Sequence, residues 1–74
     1  MKLGQLKKGD KALILSVDTE REHKETMLAN GLSAGTTVQI ADVSRIYGMM
    51  YLRIGSRNLA LRIARTRQIE VNKI

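Results

Sequence analysis

The stretch NGLSAGTTVQI, Asn30 to Ile40, sets two glycines four residues apart between a charged, helix-like segment and an alternating, β-branched one. It reads either as a loop that cradles a phosphate or as a corner where a helix gives way to a strand. A phosphate loop requires strand, glycines, helix in that order, because a helix N-terminus presents the free N–H groups. Here the order is helix, glycines, strand. Gly31 therefore reads as the residue after the helix C-cap, where the left-handed conformation costs a glycine nothing. Leu32 folds back against the last helical turn, and Ser33-Ala34-Gly35 turns the chain into the strand. The other candidate, GQLKKGD at Gly4 to Asp10, has the G-x4-G spacing but carries Asp10 where a phosphate loop has Lys, and it is preceded by no strand.

On the N-terminal side of the corner lies TEREHKETMLAN. Thr19 with Glu22 fits the S/T-x-x-E capping box, and Glu20 places negative charge near the helix start. The apolar residues Met27, Leu28 and Leu32 come late, so only the C-terminal half of this helix can dock on a core. Before it, KALILSV alternates as a strand, with Leu13, Leu15 and Val17 on one face and Ala12, Ile14 and Ser16 on the other. After the corner come Val38 with Ile40, then Met50, Leu52 and Ile54, then Leu59, Leu61 and Ile63, each alternating with polar residues. SRIYG and GSRN mark turns between them, and Ile69 with Val71 form a last short strand. These elements predict one mainly β domain over residues 1–74: a small SH3-like barrel of about five strands with one α-helix between strands 1 and 2. An OB-type barrel is the neighbouring alternative.

A chain of 74 residues supports only a thin core. No Cys is present, which excludes disulfides and thiolate metal sites and suits a reducing compartment. No apolar run resembles a signal peptide or approaches a membrane span, so a cytoplasmic location without membrane insertion is expected. The net charge of +6 predicts attraction to an acidic partner without choosing among nucleic acid, membrane surface and protein.

In their order and spacing, several pieces of this sequence resemble the FeoA family of ferrous iron transport. They are Leu6, Gly9-Asp10, KALILSV, Met27-Leu28 ahead of Gly31-Leu32, Gly35-Thr36, LALR at Leu59 to Arg62, and IEV at Ile69 to Val71. The likeness covers nearly the whole chain. It departs at Ala34, where the family usually has Pro, and in SRIYGMM, where a Pro-containing hairpin is usual and Met49-Met50 replace Asp-Pro. The resemblance implies an SH3-like fold, no enzymatic activity, no cofactor, and a partner in FeoB, the membrane transporter with a cytosolic GTPase domain. The same domain also occurs at the C-terminus of iron-dependent repressors, but these residues contain no helix-turn-helix that could read DNA.

The chemistry-bearing residues are few. His23, the only histidine, lies on the polar half of the helix beside Glu22 and Lys24 and reads as a solvated residue or a weak metal ligand, since a closed site needs four ligands. No nucleophile or acid–base pair is apparent. Arg53, Arg57, Arg62, Arg65 and Arg67 are expected to form one positive face, which serves either solubility or an acidic partner. Tyr47, Met49 and Tyr51, with Arg53, make the candidate contact patch, because exposed Tyr, Met and Arg are enriched at interfaces; Met50, across the pleat, belongs to the core. The expected partner-binding set is thus Tyr47, Met49, Tyr51, Arg53, Arg57 and Arg62. The alternative function is a small basic nucleic-acid binder, ranked lower because two Tyr with neither Phe nor Trp offer a thin stacking surface. Self-association through an edge strand stays open.

Overall fold

The helix-to-strand corner forms as its glycines require. In the computed structural model of residues 1–74, helix α1 (Arg21–Ala29) ends at Asn30, and Gly31 takes φ +91°. The Gly31 N–H donates to the Leu28 carbonyl at 3.0 Å and the Leu32 N–H to the Met27 carbonyl at 2.9 Å, the paired bonds of a Schellman motif. Leu32 is fully buried and meets Met27 in the core. Ser33 to Thr36 then closes a turn, with the Thr36 N–H on the Ser33 carbonyl at 3.1 Å and Gly35 at φ +91°.

Around this corner the chain runs through a 3₁₀ turn (Leu3–Gln5), β1 (Lys11–Val17), α1, β2 (Thr37–Ser44), β3 (Met49–Ile54), β4 (Arg57–Arg62), a short helix α2 (Ile63–Thr66) and β5 (Ile69–Lys73). All pairings are antiparallel, in one sheet ordered β4-β3-β2-β1-β5. Side chains from one face of every strand, together with Leu3, Leu6, Met27 and Leu32, build a single core of 15 apolar residues. None of the 15 is aromatic, so the sheet must curl tightly to close over small side chains.

Two bulges supply that curl. The register shifts between Ile14 and Ser16 in β1, and between Ile40 and Asp42 in β2. Each inserts an unpaired residue, bends its strand and flips the parity of the residues beyond it. The strict alternation expected in KALILSV is therefore corrected: Ala12 and Ile14 point inward, Leu15 bulges out, and Val17 returns to the core.

Three other local expectations change. The capping box is not formed: the N-cap is Glu20, one residue beyond Thr19, no side chain caps the helix, and the Thr19 Oγ1 is buried without a partner. Ile63 does not extend β4; it opens α2, which lets fully buried Thr66 donate its hydroxyl to the Ile63 carbonyl at 2.6 Å. Leu28, expected to dock, is exposed, whereas Leu3 and Leu6 near the N-terminus are fully buried.

The outer edge of β5 is sealed by the N-terminus. The Val71 N–H donates to the Met1 carbonyl at 2.8 Å, the Met1 amine to the Val71 carbonyl at 3.2 Å, and Lys2 bridges to Glu70. The Glu70 carboxylate accepts from the Met1 amine and pairs with Lys2 Nζ, both at 3.2 Å. Its pKa is held below the ordinary value, first by the hydrogen bond from the N-terminal amine and then by Lys2. Asp10 is likewise lowered, first by the Lys7 N–H at 2.8 Å and then by Lys73.

Replacing Gly31 with Ala should cost about 1–2 kcal/mol in urea unfolding, and with Asn less, because Asn tolerates the left-handed region better. A carboxylate with a lowered folded pKa stabilises above its ordinary value of 4.5 and loses that contribution as pH falls through the folded value. Glu70→Gln should therefore flatten the loss of stability in thermal melts taken from pH 6 downward, and an unchanged acid limb would exclude the carboxylate as its source.

Candidate functional site

The β2–β3 hairpin ends in Arg45-Ile46-Tyr47-Gly48, with Gly48 at φ +64° and the Tyr47 N–H on Ser44 Oγ at 3.3 Å. This geometry turns both large side chains at the tip outward: Ile46 is 91% and Tyr47 81% exposed. Along β3 the pleat then sorts residues by parity. Met50, Leu52 and Ile54 enter the core, and Met49, Tyr51 and Arg53 face out.

Cross-strand register assembles the face. Met49 lies between Ser44 of β2 and Arg62 of β4, Tyr51 between Asp42 and Ala60, and Arg53 between Gln39 and Asn58. Met49, Tyr51, Arg53 and Arg62 thus share one side of the sheet, with Arg53 and Arg62 at its two ends and Tyr47 projecting from the turn that precedes Met49. The rest of the expected positive face does not join them. Arg57 pairs with Ile54, on the core-facing side, and its guanidinium donates to the Ala29 carbonyl at 3.2 Å, bonding the C-terminal end of α1. Arg65 lines a cleft against α1, and Arg67 lies near Arg45 and Lys2 beside the 3₁₀ turn. β4 presents alternate arginines to opposite sides, and α2 rotates the next ones away.

The carboxylates are distributed differently. Ion pairs join Arg21 to Glu25, Lys73 to Asp10, and both Lys2 and the N-terminal amine to Glu70; His23 Nδ1 lies 3.9 Å from Glu20. No arginine from Arg45 to Arg67 is among them. The hairpin and β4 sides of the molecule therefore carry six arginines without a carboxylate partner. Ile46, absent from the residues expected at the site, is the most exposed large apolar residue; its signal was an aliphatic side chain inside a turn, where solvation favours polar ones.

His23 stands on α1 facing a cleft of about 220 Å³ between α1 and β4, lined also by Thr26, Met27, Asn30, Leu59 and Arg65. No group of three or more His, Cys, Asp or Glu side chains comes together anywhere. The cleft is smaller than the roughly 300–1,000 Å³ of small-molecule sites. No helix is long and apolar enough to cross a membrane.

The single bent antiparallel sheet with its one substantial helix is an SH3-like fold. A manganese-dependent transcriptional repressor contains the same arrangement: it superposes at TM-score 0.90 and 16% identity over all of this chain and 41% of its own. The FeoA domain model matches residues 1–73, and the chain belongs to the FeoA family, the small proteins of ferrous iron transport systems. It is similar to the FeoA protein from Chlorobium tepidum (TM-score 0.93, 24% identity, all of this chain and 70% of that one). It is also similar to iron(II) transport protein A from Clostridium thermocellum (TM-score 0.92, 30% identity, all of this chain and 46% of that one). No curated protein matches it in sequence.

Removing the tip should leave the fold intact. Tyr47→Ala is expected to change unfolding free energy by no more than about 0.5 kcal/mol, as for exposed positions generally. Met50→Ala, at a fully buried neighbour, should cost about 2–5 kcal/mol in the same denaturation series.

Proposed function

We propose that this chain is a cytoplasmic, non-enzymatic accessory of ferrous iron transport that docks on the cytosolic GTPase domain of an FeoB-like transporter and modulates Fe(II) uptake. The observation that carries the reading is the hairpin: Ile46 and Tyr47 project into solvent and are backed by Met49, Tyr51, Arg53 and Arg62, with Asp42 opposite Tyr51 but no carboxylate within ion-pairing distance of the arginines. Large apolar and aromatic side chains beside arginines are the composition of interface centres. An uncompensated positive rim speeds encounter with an acidic partner and fixes its orientation. Arg57 supports the surface indirectly, through the end of α1.

A titration of isotope-labelled chain with the GTPase domain, followed by backbone NMR at moderate salt, tests this. Shifts should concentrate at Tyr47 to Arg53 and at Arg62, and the Ile46→Ala/Tyr47→Ala pair should weaken binding at least roughly tenfold while the free spectrum stays folded. Shifts confined to other faces, or binding indifferent to the pair, would refute the site. A response to single-stranded RNA with steep salt dependence, and none to the GTPase domain, would favour the nucleic-acid alternative.

A further inference from the structure

The two outer edges of the sheet are treated unequally. β5 is sealed by Met1 and Lys2, whereas β4 is left open. The two-residue turn Gly55-Ser56 closes the β3–β4 hairpin at the Ile54–Arg57 pair, so hydrogen-bonded pairs recur at Leu52–Leu59 and Met50–Leu61. The Ile63 N–H on the Gly48 carbonyl at 2.9 Å continues the same phase. The N–H and C=O groups of Asn58, Ala60 and Arg62 consequently point away from β3. No bond of a turn or loop satisfies those of Asn58 and Ala60 or the Arg62 N–H, whereas the Arg62 carbonyl, at the N-cap of α2, begins that helix's own ladder.

Alongside this edge runs the α1–β4 cleft. One wall is α1 with His23, Thr26, Met27 and Asn30, and the other is β4 with Leu59, Ala60 and Leu61. Arg57 crosses one end to the Ala29 carbonyl, and Arg65 stands at the lining. An unpaired edge beside an apolar trough is the arrangement that accepts an added strand: main-chain bonds hold it, and alternate side chains fill the trough.

We propose that the free edge of β4 binds an extended segment of a partner protein in which apolar and acidic residues alternate. Antiparallel or parallel addition pairs its backbone with Asn58, Ala60 and the Arg62 N–H. Its apolar side chains enter between Met27 and Leu61, and its carboxylates, on the opposite face of the added strand, meet Arg62; Arg57 and Arg65 flank the trough, and none of these three arginines has an acidic partner in the chain. Charge decides the occupant. A second copy pairing through β4 about Ala60 would bring these arginines from both copies together without one carboxylate between them. The edge shares Arg62 with the hairpin face but otherwise uses residues outside it, and it does not depend on which protein covers that face.

The test uses the intact labelled chain, a blocked peptide alternating Val and Glu, and the same peptide with Lys for Glu. The acidic peptide is expected to shift the amides of Asn58, Ala60 and Arg62, slow their hydrogen exchange, and move the Met27 and Leu61 methyl signals. Ala60→Pro removes the central donor, and Pro is tolerated on an edge where its N–H would face solvent. This variant should bind roughly tenfold more weakly with the remaining spectrum unchanged. Arg62→Glu/Arg65→Glu provides an independent arm if the proline variant fails to fold, and should weaken binding of the acidic peptide while improving that of the basic one. The proposal is overturned by an absent response at millimolar peptide, by a response at Tyr47–Arg53 instead, or by equal binding of both peptides. Sedimentation showing a dimer that Ala60→Pro dissolves would overturn it as well, by assigning the edge to a second copy.

Discussion

The bond from the Leu32 N–H to the Met27 carbonyl, with both side chains buried in the one core, ties the helix, the corner and the sheet into one body. In a chain with no Phe or Trp, no single side chain fills the barrel, and each element has to reach the core through small aliphatic residues. The helix contributes one buried residue of its own, Met27, and burying a Leu or Met side chain stabilises by about 1.5–3 kcal/mol. The Schellman bonds at Gly31 bring Leu32 to the same spot, which strengthens the helix's hold on the sheet and fixes where β2 begins. The register of β2 against β1 and β3 is set by that start, and with it the placement of the hairpin tip.

Charge is divided between holding the fold and leaving a surface available. The acidic residues mostly act locally: Glu70 and Asp10 clip the N-terminal region to β5, and α1 carries its own pairs. The arginines from Arg45 to Arg67 are left to hydrogen-bond carbonyls, as Arg57 does at Ala29, Arg45 at Gly4 and Arg53 at Gly55. A carbonyl bond orients a guanidinium without neutralising it, so these side chains are placed and still charged. Exposed ion pairs contribute little to stability, so their absence on this side costs the fold little.

The thin core also explains the sheet's edges. A sheet this short closes incompletely, and two bulges bend it far enough to enclose 15 small side chains but not to pair β4 with β5. The N-terminal residues cover one edge and add Leu3 and Leu6 to the core. α1 approaches the other edge without sealing it, and Arg57 reaches across to the Ala29 carbonyl.

Local events whose causes lie within a few residues could be read directly from the chain. Glycine after the last helical turn, the alternation of Val38 with Ile40 and of Met50 with Leu52 and Ile54, and the turns at Gly48 and Gly55 were all legible, because backbone sterics and the period of the pleat are local. The FeoA resemblance was legible too, through the order of those same signals. The hairpin patch was partly legible: parity grouped Met49, Tyr51 and Arg53, but Ile46 escaped because its turn gives no pattern to read. Closure of the sheet decided the remainder. The bulges at Leu15 and Ala41, the turn of Ile63 into α2 and the burial of Leu3 and Leu6 all arise from curling a short sheet over small side chains, whereas the separation of Arg57 from Arg62 follows from the alternation of β4 itself. That curvature is shared among strands distant in the chain, so no single stretch of sequence records it.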